Sequence, residues 1–218
     1  MGTRDRIIEA SLVLFNDQGE RNVTTNHIAA HLGISPGNLY YHFKNKQAII
    51  FELFTHYENR VMTVLQLPEE RGISTSDKLR YLMETFKGLW EYRFMHRDME
   101  SLLSADPSLH RRYRDFFQHC LAQIYRILLA LNEAGVLRIS QEEAEDLALN
   151  IWIIVTSWFS FLHCNLMAGD TQDISQEMLL SGIYQVFSLE RPYIAAEHKE
   201  EVLAAQREFL TRPRWLKI

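Results

Sequence analysis

The stretch from Thr24 to Lys46 constrains this chain more than any other. It reads TTNHIAAHLGISPGNLYYHFKNK. Ile28, Ala29 and Leu32 recur at helical spacing behind a hydroxyl cap, assigned to Thr25. Gly33 stops that helix, since glycine enters the left-handed region at little steric cost. Ser35-Pro36 opens a second helix, a hydroxyl cap followed by proline at the first helical position. Leu39 and Phe43 face inward from it. Two short helices meeting at Gly33-Ile34-Ser35, with Ile34 filling the angle, make a helix-turn-helix. Ser35, Pro36, Gly37 and Asn38 are small or polar, so that helix end can approach a base-pair floor closely. Tyr40, Tyr41, His42 and Lys46 offer hydroxyl, imidazole and ammonium groups to phosphates on either side of a groove. Backbone N–H groups at the helix starts, at Asn26 or Lys46, can do the same.

Charge distribution supports this reading where total charge does not. The 218-residue chain carries a net charge of -5, so the whole molecule is no obvious nucleic-acid binder. Between Arg21 and Phe51, however, three basic residues (Arg21, Lys44, Lys46) stand with no acidic one. A locally positive head on an acidic body suits DNA.

The rest of the chain also reads as helix. Thr3 is expected to cap a first helix that Gly19 ends, and Asn45 a fourth that runs to about Leu67. Pro68 to Thr75 reads as a linker. Ser76 is expected to start a helix carrying Leu82, Phe86 and Trp90. Asp106-Pro107 starts a long helix that stops at Gly135. Ser140-Gln141-Glu142-Glu143 is a capping box. It opens a helix with no Asp, Glu, Lys or Arg from Leu147 to Gly169. Asp173 with Gln176 starts another, ending at Pro192, and Ala195–Leu210 is amphipathic. No segment alternates with period two, so the fold class is all-α, with about nine or ten helices.

The head resembles the tetracycline-repressor (TetR) family of bacterial regulators. The resemblance rests on Ile28-Ala29, Gly33-Ile34-Ser35, Leu39-Tyr40-Tyr41-His42-Phe43, and Lys46 followed by Ala48-Ile49. It covers about residues 3–55; the remainder matches only in layout. The resemblance implies a DNA-binding domain at 1–46 and a ligand-binding and dimerisation domain at 47–218. It implies that Thr25 caps its helix and touches a phosphate, and that Asn26 reaches the groove. Ser35 to Asn38 would face bases, Tyr40 and His42 the backbone, Tyr41 thymine methyls or phosphates, and Lys46 a phosphate. Pro36-Gly37 reads bases poorly, so few direct hydrogen bonds are expected, some from Asn38, with a share of specificity from DNA shape.

The family layout further implies a homodimer on a near-palindromic duplex operator. Its surface is expected on the uncharged helix and the next one, at Trp158, Leu162, Leu166, Leu180, Ile183 and Phe187. A small apolar, aromatic or acyl effector is expected among Phe86, Trp90, Phe94, Tyr113, Phe117, Trp152 and Phe159. Release of DNA by that effector makes the chain a repressor; an activator of the same family is the alternative. The uncharged helix is long enough to span a bilayer. Its Asn150, Thr156, Ser157, Ser160, His163 and Asn165 weigh against a membrane and for burial by a partner. There is no glycine-rich phosphate loop, nucleophile elbow or credible carboxylate pair, so no enzyme and no cofactor is expected. His119-Cys120 and His163-Cys164 lack recognised metal spacing. Two cysteines make no disulfide framework, and the N-terminus shows no signal peptide, so a cytoplasmic location is expected.

Overall fold

A computed structural model describes residues 2–166 and 174–207, with the backbone alone of Leu166. Among these residues the fold is all-α, with no strand and one isolated bridge between Leu137 and Ile194. The helices are α1 (Thr3–Gln18), α2 (Thr25–Leu32), α3 (Pro36–His42), α4 (Lys46–Val64), α5 (Thr75–Glu91), α6 (Arg93–Ala105), α7 (Pro107–Glu133), α8 (Gln141–Leu166), α9 (Gln176–Glu190) and α10 (Lys199–Arg207). A single 3-10 turn, Glu20–Asn22, joins α1 to α2. Gly169, Asp173 and Leu210, where the sequence placed helix limits, lie outside the described residues.

Several caps differ from expectation by one or two residues. Thr24, not Thr25, caps α2, its hydroxyl accepting from the His27 N–H at 3.2 Å. Gly2 precedes α1, donating its N–H to Asp5, and Thr3 is already helical. Ser74, not Ser76, caps α5 and bonds Asp77 at 2.7 Å. The Arg71 guanidinium grips the Asp77 carboxylate at 2.6 and 2.7 Å and holds it well below the usual carboxylate range. The caps at Ser35, Asn45, Asp106 and Ser140 fall where the sequence put them. The sequence reading had no separate α6: its break from α5 falls at Tyr92.

The helices divide into two compact units. The first holds Met1–Arg60 and Tyr92–Arg114, so it contains α1–α3, most of α4, α6 and the start of α7. Its core is built from Ile7, Phe15, Ile28, Leu39, Leu53 and Phe54, all nearly sealed from solvent. α6 completes that core. The Phe94 ring lies 5.2 Å from that of Phe15, and Phe94 N–H donates to Asn16 Oδ1 at 3.1 Å. Arg97 donates to the Phe15 carbonyl at 3.0 Å, and His96 pairs with the Tyr57 hydroxyl at 3.1 Å. Arg112 of α7 reaches Glu58 at 2.7 Å.

The second unit holds α5, most of α7, and α8–α10. Gly182 of α9 lets Phe86 of α5 and Trp158 of α8 close over the backbone. A buried ion pair crosses the same packing. The Lys78 ammonium meets the Glu190 carboxylate directly and sits 4.5 Å over the Phe187 ring. Burial pushes the Lys78 ammonium down to about 7.

Candidate nucleic-acid interface

Three local devices shape the reading head. Gly33 adopts φ 64° and ψ 30°, the left-handed turn, and lets the Ile34 N–H reach the Ala29 carbonyl at 3.0 Å. Ser35 accepts the Asn38 N–H at 3.1 Å, so α3 starts abruptly at Pro36. Leu39 and Phe43 are buried and root α3 from below. The opposite face of α3 is bare. Ser35, Pro36, Gly37 and Asn38 are exposed, Tyr40 is 49% exposed and Tyr41 85% exposed. Tyr41 meets His42 only edge-on, with ring centroids 5.1 Å apart.

The structure brings most of the expected DNA residues to one face and separates one from it. Asn26 is exposed at the start of α2, and Thr25 beside it is half-buried. The Thr25 and Tyr40 hydroxyls lie 3.0 Å apart, joining α2 to α3 and presenting two hydroxyls side by side. His42 is half-buried at the end of α3. Lys46 departs from the expectation. Its ammonium turns inward to the Glu20 carboxylate at 2.7 Å and to the carbonyls of Glu20 and Val23 at 2.9 and 3.1 Å. Two of its three N–H donors go to those carbonyls, and the carboxylate lies within ion-pair distance. What Lys46 leaves at the surface is its place at the start of α4, not its charge.

The residues expected to bind an effector are divided between the two units. Phe94 and Tyr113 belong to the first unit, Phe94 packed on Phe15 and Tyr113 lying 6.2 Å from Phe54. Phe86, Trp90, Phe117, Trp152 and Phe159 belong to the second. Of these, Phe117 and Trp152 meet edge-on at 5.3 Å, Phe86 is buried against Gly182, and Phe159 stacks on His163.

The expected pairing residues differ in burial within the subunit. Leu162, Ile183 and Phe187 are fully buried and pack in the subunit's own core. Leu180 and Trp158 are half-buried, and the Leu166 side chain lies outside the described residues. The bare apolar groups of α8 are others: Leu149, Ile153 and Phe161, at 44%, 50% and 40% exposure. With the exposed Ser157 they follow each other at four-residue steps along one face. The Trp158 ring stacks on Phe161 at 5.1 Å and extends that face.

A short helix rooted by Leu39 and Phe43, entered through a left-handed glycine and bare on its outer side, defines a helix-turn-helix protein built to enter a DNA groove. The family described as bacterial regulatory proteins, tetR family, matches residues 7–53, and the family described as bacterial transcriptional repressor matches residues 56–202. The chain belongs to the TetR family of bacterial transcriptional regulators. It is similar to a TetR-family regulator from Marinobacter aquaeolei, 48% identical over 96% of this chain and 99% of that one, with a TM-score of 0.88. It also resembles the transcriptional regulator YuxN of Bacillus subtilis, 25% identical over 78% of this chain, and UidR of Escherichia coli, 32% identical over 48%. The matches span 57% and 51% of those two proteins, little more than half their lengths.

Proposed function

We propose that two copies of this chain bind a near-palindromic DNA operator through residues 1–46. Residues 47–218 would pair the copies and hold an apolar, aromatic or acyl effector that releases the DNA, so the chain acts as a cytoplasmic repressor. The observation that carries the DNA reading is the bare outer face of α3, from Ser35 to Tyr41. Effector release requires only that the ligand prefer the state whose heads are misplaced for the groove.

Selection from a random duplex pool tests the DNA reading. A palindromic consensus is expected, with half-sites about one helical turn apart. Tyr41→Ala is expected to weaken binding to the selected duplex roughly tenfold, the size of one lost groove contact, without lowering the unfolding temperature. Recovery of salt-dependent binding with no preferred sequence would overturn it.

The apolar stripe of α8 supports pairing. α8 is also long and apolar enough to cross a membrane, and 33% of its most apolar stretch is buried inside the subunit. A second copy laid on Leu149, Ile153 and Phe161 would cover what remains. Light scattering without detergent is expected to give a dimer, and Phe161→Glu a folded monomer. A wild-type chain that pellets unless detergent is added would favour the membrane instead.

A further inference from the structure

We infer that Lys46 is a positioning residue, and that with Glu20 it forms a latch fixing the start of α2 to the start of α4. The inference rests on the DNA-binding reading above and concerns how that interface is kept in shape. Lys46 is the first residue of α4. Its ion-pair partner, the Glu20 carboxylate, and its two acceptors, the carbonyls of Glu20 and Val23, all belong to the turn that leads into α2. The Lys46 and Glu20 side chains are only 22% and 11% exposed, so water screens the pair weakly. The Val23 side chain is wholly buried. The turn is thus held by its side chain below and by Lys46 at its carbonyls.

Geometry makes this more than a packing detail. α2 and α4 flank the recognition helix α3 in sequence. α3 is tied to α2 by the Thr25–Tyr40 hydroxyl pair, and α2 to α4 by the latch. Those two ties fix three helix positions relative to each other. To reach a phosphate, the ammonium would have to abandon a carboxylate and two carbonyls, leaving them without their donor. Nothing is gained by that exchange, because a phosphate offers the same kind of acceptor. The affinity Lys46 contributes therefore comes from presetting the frame, which lowers the ordering needed on binding.

The test uses the full chain and a duplex carrying the selected palindrome. Glu20→Gln, Lys46→Met and the double variant are titrated across a salt series, at a temperature where circular dichroism shows each to be folded. The latch predicts roughly tenfold weaker binding for either single variant. It predicts an unchanged slope of log Kd against log salt, and a double variant no weaker than Lys46→Met. Lys46→Arg should not rescue, because a planar fork cannot serve a carboxylate and two carbonyls converging on one nitrogen. A slope lowered by about 0.9 for each Lys46 removed would show a direct phosphate contact and overturn the latch. So would unchanged Kd with a lower unfolding temperature, which is a purely structural role. Tighter binding by Glu20→Gln would overturn it too, since Glu20 would then be competing with phosphate. A readout without DNA separates failure of the latch from failure of the DNA reading. In nitrogen-15 spectra of the free protein, the Lys46 ammonium should be protected from exchange, and Glu20→Gln should abolish that protection. Fast exchange in the unaltered chain would refute the latch by itself.

Discussion

Glu190→Ala is expected to destabilise the protein by about 3–5 kcal/mol in urea unfolding at neutral pH, the range for removing one partner of a buried ion pair. The substitution deletes little apolar contact. It strands the Lys78 ammonium between α5 and α9, where both side chains are buried. Burial already pushes the Lys78 ammonium from 10.5 down to about 7 with Glu190 in place, and removing the carboxylate pushes it further down. The sign of the pH dependence follows. Wherever the unfolded chain holds this proton and the folded variant does not, stability rises with pH, up to about the unfolded value of 10.5. The double change Lys78→Met with Glu190→Leu removes both charges and should restore most of the loss. Unfolding of Glu190→Ala at the wild-type urea concentration would mean that water reaches the pair.

Gly182→Ala is expected to lower stability by about 1–3 kcal/mol, the usual penalty for overpacking a tight core. For a chain of this size each kcal/mol corresponds to about 2–4 °C in unfolding temperature. Two effects oppose each other here. Alanine in a helix interior is favoured over glycine by about 1 kcal/mol. Against this, the new methyl would lie 2.5 and 2.6 Å from two Phe86 ring atoms and 2.7 Å from Trp158 Cδ1. Phe86 is fully buried and has little room to yield, so packing wins over propensity. Gly72→Ala is the control: nothing lies within 4 Å of its added carbon, and no loss is expected. An unfolding temperature for Gly182→Ala equal to that of the control would show that α9 can slide away from its neighbours.

The head was legible because its signals are local. A left-handed glycine, a Ser-Pro start and two inward apolar residues act within a few positions of one another, and Gly33, Ser35 and Leu39 behave as the pattern requires. Adjacent hydroxyls blurred the ends. Thr24 and Thr25 have the same chemistry, and only backbone geometry decides which one turns back onto the His27 N–H. Lys46 misled for a different reason. Its charge fitted a phosphate, while its partner Glu20 lies 26 positions earlier, just outside the acid-free stretch. α8 was hardest. It is apolar nearly all round, so periodicity does not say which apolar side faces home. Leu162 turned out to be core and Phe161, one step along, surface. The α5–α6 break carried no glycine or proline to announce it; Tyr92 leaves the helix at φ -109° and ψ 31°.

The unit that carries α3 is assembled from two stretches of chain, and this limits how such regulators can be rewired. A chimera spliced at residue 60 would import α1 without the Phe94 ring that lies against Phe15, and α4 without the Arg112 that holds Glu58. A head cut at residue 60 is therefore expected to lose the contacts that close its core. An exchange of heads that keeps its fold has to transplant two pieces of the coding sequence, the second ending inside α7.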